Sequence, residues 1–384
     1  MLKNYLKSTY RNLRQHPGYS LINLSGLAVG MACCLLIALY LNDELSFDRY
    51  HENGEEIHRV VIDYTTNGNR SEQGYTQGLL APVLASEIPE VVTAVRMTNS
   101  GGLLGYEDKV FNESSFLLTD PSIFSVFSFS LLRGDPETAL VEPYSIVLTP
   151  PIAEKYFGSE DPMGKVLRYN NDRQLTVTGI VAVPPAQSHF TFEGLVSMST
   201  IDNAEAPSWM FQEWLSTFVQ TYVLLTDKSA APIVESKMAD IVEREAGAMM
   251  SNSNRRVDLY LESLSDIYLT SERDGLGTRG SLTNLYLFGF IAGFILLIAC
   301  INFMNLATAR AMGRAREVGV RKSLGAARSQ LVFQFLGEAI FVSFLAMATA
   351  LLLVKLSLAP FNLLAGKSLV VSTLFQPAAI ALLA

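Results

Sequence analysis

Cysteine is nearly missing from this sequence, and the three present, Cys33, Cys34 and Cys300, all fall in long uncharged runs. Residues 43–281 therefore contain no thiol, which excludes a disulfide framework or a paired-cysteine metal site there. Histidine is scarce too: that stretch holds only His51, His58 and His189, with no His-Glu-x-x-His and no Gly-x-Ser-x-Gly pattern. Nor is there a Gly-x-x-x-x-Gly-Lys-Ser/Thr phosphate loop, so the chain has no such means of hydrolysing ATP. The expectation is a protein that is not itself an enzyme, with no catalytic, cofactor-binding or metal-binding residues to assign.

Charge is missing just as selectively. Residues 15–42 carry none, and neither do residues 280–309. Each run exceeds the roughly 20 apolar residues that a bilayer-spanning helix needs. A third run, Leu331 to Val354, contains one charge, Glu338, and an uncharged segment from Leu369 to Ala384 begins a fourth span that the chain end interrupts. A secretory signal is the competing reading of the first run, but its apolar core is too long and Leu41-Asn42-Asp43-Glu44 is no small-residue cleavage site. Ahead of it, Leu2, Leu6, Tyr10 and Leu13 recur at helical spacing opposite Lys3, Lys7, Arg11 and Arg14. That pattern predicts a basic amphipathic helix on the inner membrane surface, in contact with lipid.

Orientation follows from the basic residues that flank the spans, which stay on the cytoplasmic side. The amino-terminal segment has four and no acid. The stretch after the second span has six, Arg310, Arg314, Arg316, Arg321, Lys322 and Arg328, against Glu317 alone. Residues 43–281 hold 17 of the 29 basic and 35 of the 37 acidic residues, a net of −18. The amino terminus is thus expected in the cytoplasm and residues 43–281 outside it, and no nucleic-acid partner is expected.

Within residues 43–281, strands are expected at Arg59–Tyr64, Ala94–Met97, Ser145–Leu148, Leu175–Val183 and Thr221–Leu225, each apolar or alternating and rich in Val, Ile, Thr and Tyr. Helices are expected at Gly78–Glu87, Pro151–Phe157 and Ala231–Met249. Asn53-Gly54, Asn67-Gly68, Asn170-Asn171 and Pro184-Pro185 mark turns between them. The fold class is therefore membrane α-helical, a four-span unit with its fourth span truncated, carrying a large α+β extracytoplasmic domain between spans one and two. His51 and His58 would share a helical face near Glu52, Glu55 and Glu56, and solvated surface is preferred over a metal site. Trp209, Met210, Phe211, Trp214 and Leu215 read as core, with a contact surface as the alternative.

Residues 302–340 carry the densest pattern. Ala307 to Lys322 should continue the second span as helix, and Ser323-Leu324-Gly325-Ala326 allows a reversal. Gly313, Gly319 and Gly325 recur every six residues among the charges, beside Val318, Val320 and Leu324. A basic hairpin with an apolar and glycine surface suits docking on a partner better than mere topology-setting charge. Gly26-Leu-Ala-Val-Gly30 and Gly289-Phe-Ile-Ala-Gly293 are close-packing motifs in the first two spans. Glu338, near the cytoplasmic end of the third span, is expected to pair with Arg328, Asn302 or Asn305 or to face water rather than serve a proton relay.

Several segments together resemble the MacB/FtsX-type permeases of ABC transporters. They are HPGYSLINLSGLAVGMA leading to LNDELSFDRYHENGEEIHRV, LAPVLASEIPEVVTAVRM, LTPPIAEKYFGSEDPMGKVL, TVTGIVAVPPAQSHF and NLATARAMGRAREVGVRKSLGAARSQLVFQFLGEA. The resemblance covers essentially the whole chain. It implies 1–18 as the cytoplasmic helix, 19–42 as span one, 43–281 as a MacB-like core domain and 282–308 as span two. A coupling loop (309–328), span three (329–356), a short outer loop (357–370) and the start of span four (371–384) follow. It further implies that a separate cytoplasmic ATPase docks on Arg314, Arg316, Glu317, Val318, Gly319, Arg321, Lys322, Leu324, Gly325 and Arg328. ATP-driven motion would then reach the outer domain, in efflux, lipoprotein or peptide handling, or envelope regulation. A second permease unit, as homodimer or tandem repeat, and a periplasmic adaptor are further implied partners. Relatives with a fused ATPase domain differ from this chain, which has none. The alternative is a membrane-anchored sensor or assembly protein uncoupled from ATP.

Overall fold

The computed structural model describes residues 17–170, 172–202, 213–313, 319–320, 322–323 and 328–375. The expected amphipathic helix at the amino terminus lies outside them. The chain divides into two compact units, one formed by residues 1–45 with 282–384 and the other by residues 46–281.

Helix α1 (Pro17–Glu44) leads from the first unit into the inserted one. There β1 (Ile57–Thr66) turns at Asn67 and Gly68, both at positive φ as a tight hairpin requires, into β2 (Asn69–Gln73). Short β3 (Thr76–Gln77), α2 (Leu80–Glu87), β4 (Val91–Asn99), β5 (Gly102–Tyr106), β6 (Lys109–Glu113) and β7 (Phe116–Thr119) follow. Next come α3 (Ile123–Val126), β8 (Leu131–Arg133), β9 (Ser145–Leu148) and α4 (Pro150–Phe157), which opens on two prolines whose missing N–H groups cost nothing in a first turn. The domain continues through β10 (Val166–Tyr169), β11 (Arg173–Val181), β12 (Gly194–Ser197), α5 (Ser199–Asp202) and β13 (Thr217–Leu225). It closes with α6 (Ala231–Ser253), β14 (Arg255–Ser263) and α7 (Leu264–Thr270).

One sheet runs in the order β14-β1-β13-β4-β7-β12-β9-β11-β10-β5-β6, with β2, β3 and β8 pairing alongside. Among the described residues, only the β7/β12 and β9/β11 pairs are parallel. Three apolar clusters cover it. Leu80, Leu84, Val234, Met238 and Ile241 of α2 and α6 pack on Val60, Ile62 and Val223. Phe127, Phe129, Phe190 and Tyr222 form a second cluster, and Ile152, Tyr156 and Phe157 of α4 anchor a third. Removing a side chain as enclosed as Leu84 would cost about 2–5 kcal/mol.

The other unit is helical. α8 (Leu282–Gly313) and α9 (Arg328–Ala365) are, like α1, long and apolar enough to cross a membrane. α1 packs on both: Leu27 and Ala28 meet Ala299 and Ala346, and Ala32, Leu35 and Leu39 meet Ala350 and Val354. α9 corrects one boundary. Residues 357–365, assigned above to an outer loop, are helical, because Pro360 loses one N–H without stopping an apolar helix that ends only at Gly366 (φ 63°). Val371–Phe375 is a short 3-10 turn, and the rest of the expected fourth span lies outside the described residues.

Candidate coupling site

Gly26 and Gly30 lie on the face of α1 that meets α8. A Cβ at Gly30 would stand 2.6 Å from Ala299 Cβ, and one at Gly26 would stand 2.9 Å from Asn302 Nδ2. Carbon does not tolerate the first distance, so glycine is what lets the two backbones approach. The Cys34 thiol donates to the Ala292 carbonyl at 3.3 Å, and Tyr40 meets Phe288 edge-on at 5.4 Å. Gly289 and Gly293 are placed differently: a Cβ at either meets nothing within 4 Å. The two glycine pairs are not brought together. The first faces Ala299 and Asn302, farther along α8.

Asp43 and Glu44 end α1, where carboxylates face the negative end of the helix dipole. Lys367 offsets them, with Nζ 2.8 Å from Asp43 Oδ2 and 2.7 Å from Glu44 Oε1. Its turn is held by Asn362, whose side chain donates to the Leu369 carbonyl (2.9 Å) and accepts from the Leu369 N–H (3.1 Å). The turn after α9 is thereby tied to the end of α1.

Of the residues expected to dock an ATPase, Gly319 and Lys322 are helical and exposed, beside an exposed Val320, and Arg328 opens α9. Arg314, Arg316, Glu317, Val318, Arg321, Leu324 and Gly325 lie outside the described residues. Glu338 is half-buried.

The two histidines expected at the surface are buried instead. Residues 52–56 form turns rather than the helix on which His51 and His58 would share a face. His51 is packed against Tyr50, Phe127 and Phe129, its Nδ1 accepting the Ser128 N–H at 3.1 Å. Desolvation, reinforced by His189 and opposed by Asp48, lowers its pKa to about 4. His58 is also buried, beside the Glu56 carbonyl at 3.1 Å. Among the described residues no group of His, Cys, Asp and Glu could hold a metal ion. Trp214 joins the apolar core, while Trp209, Met210 and Phe211 lie outside the described residues.

Sequence reasoning missed the buried polar residues that join the inserted domain's ends. Arg59, on β1, holds Glu262 of β14 through Nε (3.1 Å) and Nη2 (2.6 Å) and donates to Ser271 (2.8 Å). Arg273 reaches Asp63 of β1 at 2.6 Å. Asp48, at the left-handed φ of 59°, accepts the His189 N–H at 3.0 Å. The only signal for Arg59 was a cation directly beside the apolar run Val60-Val61-Ile62 of β1. Asp48 and His189 had none.

Against this geometry, residues 20–241 match the model of the MacB-like periplasmic core domain, more than half of the chain, and residues 289–384 match the FtsX-like permease C-terminal model. The chain belongs to the MacB-like, FtsX-like permease family. It is 24% identical over 260 residues to the macrolide export ATP-binding/permease protein MacB of Neisseria gonorrhoeae, covering 66% of this chain and 36% of that protein. It is 26% identical over 195 residues to the uncharacterized ABC transporter permease YknZ of Bacillus subtilis, covering 50% and 44%. The chain thus spans less than half the length of either relative. A domain of a Porphyromonas gingivalis permease protein, solved by crystallography, shares the fold with a TM-score of 0.50 at 20% identity, over 62% of this chain and 98% of that domain. The MacB-like core domain of this membrane protein is therefore the α+β unit inserted between α1 and α8.

Proposed function

We propose that this chain is the permease component of an ABC-type machine. A separate cytoplasmic ATPase docks on residues 314–328, and α1 and α8 carry its displacement to a core domain outside the cytoplasm. One observation carries this reading. The first and last strands of the core domain, β1 and β14, pair from His58↔Ser263 to Thr66↔Arg255, and the helices that continue the chain on either side pack through Gly26 and Gly30. A domain entered and left through adjoining strands, fed by two helices in contact, is displaced as a body when those helices shift. The basic flank after α8 supports a cytoplasmic hairpin and an outer domain. The exposed helical Gly319, Val320 and Lys322 support a docking surface there. A second permease unit completes the machine.

The test is affinity capture of the full-length protein from detergent-solubilised membranes. A P-loop ATPase should co-purify in equal amount, and the double substitution Arg321→Glu with Lys322→Glu should abolish its recovery. Capture without an ATPase would instead favour a sensor or assembly protein.

A further inference from the structure

The core domain is joined to the helical unit by two linkers, residues 46–56 and residues 271–281. Both meet one short segment, Gln187-Ser188-His189, which follows the Pro184-Pro185 turn. From the first linker, the Asp48 N–H donates to the Gln187 carbonyl at 2.8 Å, and Asp48 Oδ1 accepts the His189 N–H at 3.0 Å. Tyr50 and Ser188 share a hydroxyl hydrogen bond of 2.8 Å. From the second linker, the Thr278 N–H donates to the His189 carbonyl at 2.7 Å. Gly277 holds φ at 97°, and a Cβ there would lie 1.9 Å from the same carbonyl, so no other residue fits without moving the linker. The sheet is reached through the His189 ring, whose Nε2 lies 2.9 Å from the Tyr222 hydroxyl of β13. His189 Nδ1 stands 2.9 Å from Asp48 Oδ1, off the line of a hydrogen bond.

These groups are almost fully enclosed: Asp48 is 3% exposed, His189 1% and Tyr222 0%. Asp48 adopts a backbone conformation unfavourable for a residue with a side chain, and the three-way engagement of its N–H, its carboxylate and His189 holds it there. A second point reinforces the arrangement. Phe47 of the first linker stacks on Tyr268 with centroids 3.5 Å apart, and the Gly280 N–H of the second donates to the Tyr268 carbonyl at 2.8 Å.

We propose that Gln187–His189 is a clasp that fastens both linkers to the interior strand β13, with Asp48, Gly277 and His189 as positioning residues. The inference rests on the relay reading above and deepens it: displacement of α1 and α8 reaches the sheet through one shared segment. It predicts something that independent fastening does not. Losing the Asp48 carboxylate in the first linker must free the second.

The test is amide hydrogen exchange by mass spectrometry on the full-length permease in lipid nanodiscs, with and without its captured ATPase. In Asp48→Ala, exchange in peptides covering 46–56 and 276–281 should rise about tenfold, while β9 and β11 keep their protection. Asp48→Asn, which still presents an acceptor to the His189 N–H, should restore both. Gly277→Ala gives the reverse reading, with exchange rising in 46–56, and serves if Asp48→Ala does not fold. Exchange at 276–281 unchanged in Asp48→Ala, or at 46–56 unchanged in Gly277→Ala, overturns the clasp. The exchange readout needs no ATPase, so a permease captured without one would sink the relay reading while leaving the clasp to stand or fall on its own data.

Discussion

Acid should loosen the core domain through His51. Its imidazole lies in an aromatic box of Tyr50, Phe127 and Phe129, 5% exposed, with Nδ1 committed as an acceptor to the Ser128 N–H. A proton would have to enter a desolvated ring, which is why the pKa falls from 6.5 to about 4. Because the folded value lies below the unfolded one, protonation favours the unfolded chain. Above pH 6.5 the residue has no effect on the pH dependence. Between pH 6.5 and about 4 the unfolded state binds more protons, and stability falls with each unit of acidification. At 1.36 kcal/mol per unit the loss reaches about 3 kcal/mol by pH 4. Both tryptophans of the chain, Trp209 and Trp214, lie in the inserted domain, so intrinsic fluorescence reports on its unfolding within the full-length protein. Urea titrations from pH 7.5 to 4.5 should be compared for wild type and His51→Asn, which offers an oxygen where Nδ1 accepts. Subtracting the two profiles cancels the other titrating groups. The variant should lose less stability on acidification, the difference growing below pH 6.5. Parallel profiles across the whole range would refute the assignment.

Two further predictions concern the helical unit. Gly30→Leu should destabilise it by about 1–3 kcal/mol, since its first added carbon already collides with Ala299, whereas Gly289→Leu should be nearly silent; thermal unfolding in detergent, monitored by helical circular dichroism, separates them. Lys367→Ala removes the ion pairs to Asp43 and Glu44, 8% and 4% exposed, and should cost about 1.5–3 kcal/mol in the same assay. Combining it with Asp43→Asn and Glu44→Gln should recover most of that loss.

What could be read in the sequence was what repeats along it. Absence of charge over a span's length is a local property, and α1, α8 and α9 stand where it occurs. Strands with an apolar or alternating run, such as β9 and β13, were equally legible. By contrast β6, Lys109–Glu113, is exposed at four of its five residues and carries no burial pattern to detect. It is a strand because β5 pairs with it at the sheet's end. β14 does alternate, with Val257 and Leu259 turned inward, yet Arg255, Arg256, Asp258 and Glu262 mask the signal. α9 runs on through residues 357–365 because an apolar helix absorbs the single N–H lost at Pro360 and stops only at a glycine in the left-handed region, Gly366.

The linker contacts were illegible for a different reason. Asp48 and His189 are 141 residues apart, and Thr278 lies 89 residues beyond His189. Their contacts run largely through backbone N–H and carbonyl groups, which every residue possesses, so composition and spacing carry no trace of them. Only the exceptions do: an aspartate held at positive φ and a glycine with no room for a Cβ. Segments fastened through the main chain are the ones least able to advertise it. A linker held by its main chain can vary in side chains without losing its fastening. Substitutions at Asp48 and Gly277 should therefore be felt far more than changes at exposed neighbours such as Glu52 or Arg279, although all four lie in the same two linkers.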